Sequence, residues 1–254
     1  LPIFVLDKSK KTGNSNFSEE EITRFDALAD SWWDPSGKYK TALEFNRARL
    51  TVIKTQIENH FGKGNLPPDY SALSIIDIGS GGGLISEPLA ALGAKVTGID
   101  ASSVSVEVAK RHALKSGVDV EYKHMLSSEA VMTGQQYDVV INAEVVEHVP
   151  DQRQLINECA SLVRPGGLLI LATLNRTIKS YVIAIVGAEY VMRYLPVGTH
   201  DWRKFVKPQE LQAGVGDRFA LKHQTGMRLN PFKAEWLTTP SLSVNFIQAY
   251  SKHE

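Results

Sequence analysis

Between residues 73 and 174 short apolar runs alternate with stretches of mixed character. Five runs read as strands, being short, rich in β-branched residues and bounded by Gly, Asp or Asn. They are Leu73–Gly79 (LSIIDIG), Ala94–Asp100 (AKVTGID), Val118–His124 (VDVEYKH), Tyr137–Ala143 (YDVVINA) and Leu168–Leu174 (LLILATL). The intervening segments read as helices: Leu84–Leu92 ended by Gly93, a segment capped by Ser102 or Ser103 and ending near Gly117, and one near Asp151–Val163. RPGG, Arg164–Gly167, is expected to break the chain before the fifth strand. Near-continuous apolar strands are the mark of a sheet covered on both faces. Strands alternating with helices predict an α/β fold with a doubly wound, mostly parallel sheet.

Ahead of this alternation, Ser18 followed by Glu19, Glu20 and Glu21 reads as a helix cap with an acidic first turn, running to about Trp33. A second helix is expected over Leu43–Phe61, then a turn-rich linker, GKGNLPPDYS, over Gly62–Ser71. Residues 1–17 are polar after a short apolar start and read as a loose arm. The organisation expected is an arm over 1–17 and one domain over 18–254, with a helical cover and linker over 18–71 and a helical insertion over 176–207.

Composition narrows the class. With 254 residues and 43% hydrophobic content the chain can bury a large core. Its 28 basic and 28 acidic residues cancel, so bulk attraction to nucleic acid is not expected. Cys159 is the only cysteine, which leaves no intrachain disulfide. No run of about 20 apolar residues is present, so no membrane-spanning helix is expected.

In doubly wound sheets ligands bind beyond the carboxyl ends of the strands. The first motif lies there. DIGSGGGL, Asp77–Leu84, follows strand one, and Gly79, Gly81 and Gly83 allow a tight turn and close approach to a ligand. Asp100 ends strand two, 21 residues after Gly79, where a carboxylate can accept from both ribose hydroxyls. The dinucleotide fingerprint requires Gly or Ala where Leu84 stands. The G-x-G-x-G pattern, preceded by Asp77, is instead similar to that of S-adenosylmethionine (AdoMet) methyltransferases, whose cofactor has a ribose but no phosphate.

The second motif, AEVVEHVPD, follows strand four. If the chain turned helically after Ala143, then Glu144, Glu147 and His148 would share one face. Three readings fit: an acidic helix start, a general base, or a set of hard and imidazole ligands for a divalent cation. A cation on a catechol would lower its hydroxyl pKa and orient it for in-line attack on a sulfonium methyl.

FDALADSWWDPSGKYK, IDIGSGGG, VTGID, YDVVINAEVVEHVPD, LVRPGGLLILATLNRT and SYVIAIVGAEYVMRYLPVGTHDWRKFVKPQEL together resemble the ubiquinone-biosynthesis O-methyltransferases, the bacterial enzyme and its mitochondrial counterpart. The resemblance extends over roughly residues 20 to 250, and is weaker in MRLNPF and SVNFIQAY. It implies a class I methyltransferase fold and methylation of ring hydroxyls on polyprenylated dihydroxybenzoate and demethylubiquinol-type intermediates. It implies AdoMet contacts at Arg49, Gly79, Gly81, Asp100 and Ala143, and Mg²⁺ or a similar cation at Glu144, Glu147 and His148. His200, in GTHDWRKF, is a candidate to contact substrate. The family's usual histidine between WWD and Asn-x-x-Arg is replaced by Leu43, and Ser80 stands where Cys is common. Leu43 keeps open a non-catalytic AdoMet-binding subunit; methylation of another small phenol is the other alternative.

Tyr181–Leu195 is an apolar stretch that carries Glu189 and Arg193 and has Lys179 before it. It is either a buried core helix or an interfacial helix with one face in a membrane. The resemblance favours the second, since the substrate carries an isoprenoid tail. It also implies other ubiquinone-biosynthesis proteins as partners, and a peripheral place on the matrix side of the mitochondrial inner membrane, or at the cytoplasmic membrane if the chain is bacterial.

Overall fold

The structure is a computed structural model that describes residues 16–26, 33, 40–64, 66–183, 185, 201–230 and 235–254. The expected arm therefore lies outside the described residues except for Asn16 and Phe17, as do His200, Trp32 and most of Tyr181–Leu195.

Eight strands form one sheet in the order β3-β2-β1-β4-β5-β8-β6-β7. The first five are β1 (Ser74–Ile78), β2 (Lys95–Asp100), β3 (Glu121–His124), β4 (Tyr137–Ala143) and β5 (Val163–Leu174). All pair in parallel, as expected from their apolar runs. The remaining three, β6 (Phe219–Asn230), β7 (Glu235–Thr239) and β8 (Asn245–Lys252), were not anticipated. They extend the sheet beside β5 in antiparallel pairing, β8 on β5, β6 on β8 and β7 on β6.

The helices are α1 (Glu19–Asp26), α2 (Lys40–Phe61), α3 (Ser86–Ala90), α4 (Ser103–Ser116), α5 (Ser127–Met132), α6 (Gln152–Leu162), the single turn α7 (Ile178–Ser180) and α8 (Pro208–Val215). α4 has its cap at Ser102, whose Oγ accepts from the Ser105 N–H, and ends on Gly117 at φ 67°. RPGG does not end a segment. β5 runs through it with a register jump, from Tyr137 opposite Val163 to Val139 opposite Leu168.

Alternate residues of the central strands feed two cores, one per face. Ile76, Val140, Leu169 and Leu171 pack with Leu155, Ile156 and Cys159 of α6 and Leu211 of α8. Ile75, Val139, Ile141, Leu168 and Ile170 pack with Val52, Ile53 and Ile57 of α2 and Leu89 of α3. Both sides of each strand are thus apolar, which is why the sequence shows no alternation there. Among the described residues no helix is long and apolar enough to cross a membrane.

Candidate active site

The strand order reverses between β1 and β4, so a crevice opens at their carboxyl ends. A cavity of about 670 Å³ occupies it. It is lined at one end by the loops after β1, β2 and β4, at the other by β6, β7 and the end of β5, and on top by Phe17, Ser18, Glu21 and Ile22.

Gly79 turns the chain out of β1 at φ 76°, and a Cβ there would fall 2.3 Å from Val145 Cγ2. Only glycine lets the loop pass so close to the chain leaving β4. The Gly79 and Ser80 N–H groups both donate to Ile99 O, at 2.8 and 3.0 Å, which fixes the loop against β2. Asp100 is held at the mouth by the N–H groups of Gly81 to Oδ2 (2.9 Å) and Ser102 to Oδ1 (2.8 Å). Burial pushes its carboxyl up, and these two donors oppose that shift. Asp77, one turn deeper, is pushed up to about 6 by burial, against the Ser86 hydroxyl at 2.7 Å and the charge of Arg49.

Arg49 projects from α2 into the cavity. Asn46, one turn earlier, accepts from its Nη2 at 2.9 Å and donates to Leu84 O at 3.0 Å, so one side chain ties the helix to the glycine loop. Arg49 Nη1 lies 3.0 Å from Glu144 Oε1 as an ion pair. Arg49 Nε is buried without a hydrogen-bond acceptor among the described residues. This unsatisfied donor, in the cavity that Gly79 also lines, fits the methionyl carboxylate of AdoMet, as Asp100 fits its ribose.

Glu144, Glu147 and His148 do not share a helical face. Glu144 takes a left-handed conformation, φ 58°, directly after Ala143, and only Val146–His148 forms a short 3₁₀ turn. Glu144 therefore points to Arg49. Glu147 turns inward and is buried, its Oε2 accepting from Thr173 Oγ1 at 2.8 Å. Burial, reinforced by the nearby charge of Glu144, pushes Glu147 up to about 8. His148 Nδ1 sits 3.1 Å from Glu21 Oε2 of α1. The expected ligand set is thus not assembled: among the described residues no group of three or more His, Cys, Asp or Glu side chains is arranged to hold a metal. Glu144 is engaged by the Arg49 guanidinium and Glu147 by the Thr173 hydroxyl, so the two carboxylates face different partners.

Gly79, Gly81, Asp100, Arg49 and Ala143 thus converge on one cavity, which His148 and Glu144 also line. Sequence reasoning missed Asn46, Glu21 and Thr173, which hold Arg49, His148 and Glu147. Only Asn46 left a local signal, the i, i+3 spacing to Arg49.

A mostly parallel sheet with this strand order, a glycine turn after β1 and an acidic residue ending β2 is the architecture of a class I AdoMet-dependent methyltransferase. A family model described as a methyltransferase domain matches residues 76–171. Among solved structures, a magnesium protoporphyrin IX methyltransferase from Synechocystis with bound SAH matches at a TM-score of 0.61 and 22% identity, over 92% of this chain and 100% of that one. A plantazolicin methyltransferase with bound SAH matches at 0.62 and 16% identity, over 92% and 98%. Both share the fold. Proteins named ubiquinone biosynthesis O-methyltransferase are much nearer in sequence. That of Parvibaculum lavamentivorans is 41% identical over 96% of this chain and 97% of its own length. That of Paramagnetospirillum magneticum is 45% identical over 91% and 93%. The chain belongs to the ubiquinone biosynthesis O-methyltransferase family, and its reaction class is AdoMet-dependent O-methylation.

Proposed function

We propose that the chain methylates ring hydroxyls of polyprenylated dihydroxybenzoate and demethylubiquinol-type intermediates in ubiquinone biosynthesis. The observation that carries this reading is the single cavity. It joins a nucleoside-binding end at Gly79 and Asp100 to an apolar end at Leu43, Met227, Leu229 and Trp236, with Glu144 and His148 at the β4 end between them. A flat, hydrophobic phenol fits the second end.

AdoMet supplies the methyl group on a sulfonium. Asp100 would accept from its ribose hydroxyls, and Arg49 would meet its carboxylate through the unpaired Nε. His148 lines the cavity with its Nδ1 held by Glu21, and is the group placed to take the phenolic proton. The phenolate so formed would be the nucleophile for that methyl, and a neutral thioether would be left. Phe17 and Ile22 roof the cavity and limit water. Holding two reactants in line is worth up to about 7–11 kcal/mol. Mg²⁺ at Glu144, Glu147 and His148 would require Glu144 to leave Arg49, and no step here is routed through it.

Peripheral membrane contact belongs to the same reading. Ile178, Tyr181, Val182 and Ile183 are 81%, 46%, 51% and 45% exposed, and Ile183 also lines the cavity, so an isoprenoid tail has an apolar exit. The place proposed is the matrix face of the inner membrane, or its bacterial equivalent, among other proteins of the pathway.

Complementation tests the function. Expression in cells lacking their quinone O-methyltransferase is expected to restore ubiquinone, and Asp100→Ala is expected to abolish the rescue. Absence of rescue by a well-expressed chain would favour an AdoMet-binding subunit without turnover, or another phenolic acceptor.

A further inference from the structure

The acceptor end of the cavity carries an unexplained charge. Its described lining is apolar apart from Lys179, Arg228, Trp236 and Asn245. Asn245 is committed to the backbone: Met227 N–H donates to its Oδ1 at 2.8 Å, and its Nδ2 donates to Met227 O at 3.1 Å. Lys179, in α7, and Arg228, on β6, are exposed at the rim, and their side chains have no hydrogen bond or ion pair among the described residues. Of the acids that line the cavity, Asp77, Asp100 and Glu144 belong to the cofactor end or the β4 turn, with Glu144 paired with Arg49, and Glu21 in the roof is engaged by His148. The indole N–H of Trp236 is buried without an acceptor among the described residues. Two cations thus stand at the rim of an apolar chamber to which the described residues contribute no anion at this end.

We propose that Lys179 and Arg228 form an anion-binding rim that takes the ring carboxylate of a benzoate-type acceptor and sets its preference over a neutral quinol. The inference rests on the function proposed above. A guanidinium matches a carboxylate with two parallel N–H donors, while an ammonium adds a point charge. Both groups stay hydrated at the rim until the acid arrives, so the free protein carries no buried uncompensated charge. The ring then enters the apolar chamber with its hydroxyls toward the β4 turn. A neutral quinol offers these cations nothing, and binds by burial alone.

The test compares a short-tailed dihydroxybenzoate with a short-tailed, uncharged demethylubiquinol, both with labelled AdoMet and the full chain. The readout is the acid-to-quinol ratio of kcat/KM for the parent chain, Arg228→Gln, Lys179→Gln and the double variant. The double variant is expected to lower the ratio by about tenfold or more, mainly by raising KM for the acid, as loss of charged hydrogen bonds predicts. Arg228→Lys is expected to retain most of the ratio. AdoMet affinity, measured by calorimetry, reports whether each variant is folded. An unchanged ratio, or an equal loss on both acceptors, overturns the inference while leaving the function standing. Turnover of neither acceptor by the parent chain overturns the proposed function and this inference with it.

Discussion

Glu144 has the only positive φ among the described non-glycine residues, 58°. A side chain in this region costs about 1–3 kcal/mol and persists where its surroundings hold it. Here the Glu144 N–H donates to Ala172 O at 2.9 Å, and the carboxylate pairs with Arg49. The turn separates Glu144 from Glu147 and leaves each with a different partner. Spacing in AEVVEHVPD could not reveal this, because i, i+3 and i+4 share a face only if the helix exists. Asp77, Asp100 and the glycines were legible, since their role follows from where strands end. Asp77 carries the clearest residue-scale consequence. Its carboxyl titrates at about 6 in the fold, against 3.8 ordinarily. The folded state therefore holds a proton that the unfolded chain has lost, and stability falls as pH rises through that window. Asp77→Asn is expected to remove up to about 3 kcal/mol of this pH dependence. Chemical denaturation at pH 4 and pH 7 measures it. An equal slope in both proteins would contradict the assignment.

At the scale of elements, the glycine loop and the β4 turn form one unit, since Gly79 leaves no room for a Cβ beside Val145. Gly134 provides a control: it sits at φ 71° with nothing near its missing Cβ. Gly134→Ala should cost about 1 kcal/mol, the left-handed penalty alone. Gly79→Ala should cost clearly more and weaken AdoMet binding as the β4 turn is displaced. Thermal unfolding and cofactor titration read both, and equal costs would show that close approach does not matter. The elements that escaped sequence reading have a physical reason. β8 is buried almost throughout, yet contains Asn245, Gln248 and Ser251. The amide side chains are satisfied internally, Asn245 on Met227 and Gln248 with Gln224 and Tyr250. Hydrophobic patterning cannot recognise a buried strand whose polar groups are paired by tertiary contacts. β1, β4 and β5 carry their buried polar groups, Asp77, Asn142 and Thr173, toward their ends, and their runs were readable.

Across the whole molecule, the sheet is built from two parts with separate duties. The parallel strands β1 to β4 present the cofactor loops at their carboxyl ends, while β8, β6 and β7 extend the floor beneath the acceptor end. The N-terminal segment closes the top through contacts far apart in sequence: Asn16 with Asp151, Glu21 with His148, Asp26 with Ser102, and Trp33 Nε1 with Gly82 O at 2.7 Å. Such long-range closure could not be read from local pattern, although the helix itself was. The two parts join at the cavity that Glu144 and His148 line. The most direct measurement of this account is turnover of a short-tailed dihydroxybenzoate with methyl-labelled AdoMet. The account predicts one label per ring, carried as an aryl methyl ether, with SAH formed in equal amount. Tight AdoMet binding with no label transferred to either a dihydroxybenzoate or a demethylubiquinol would contradict it.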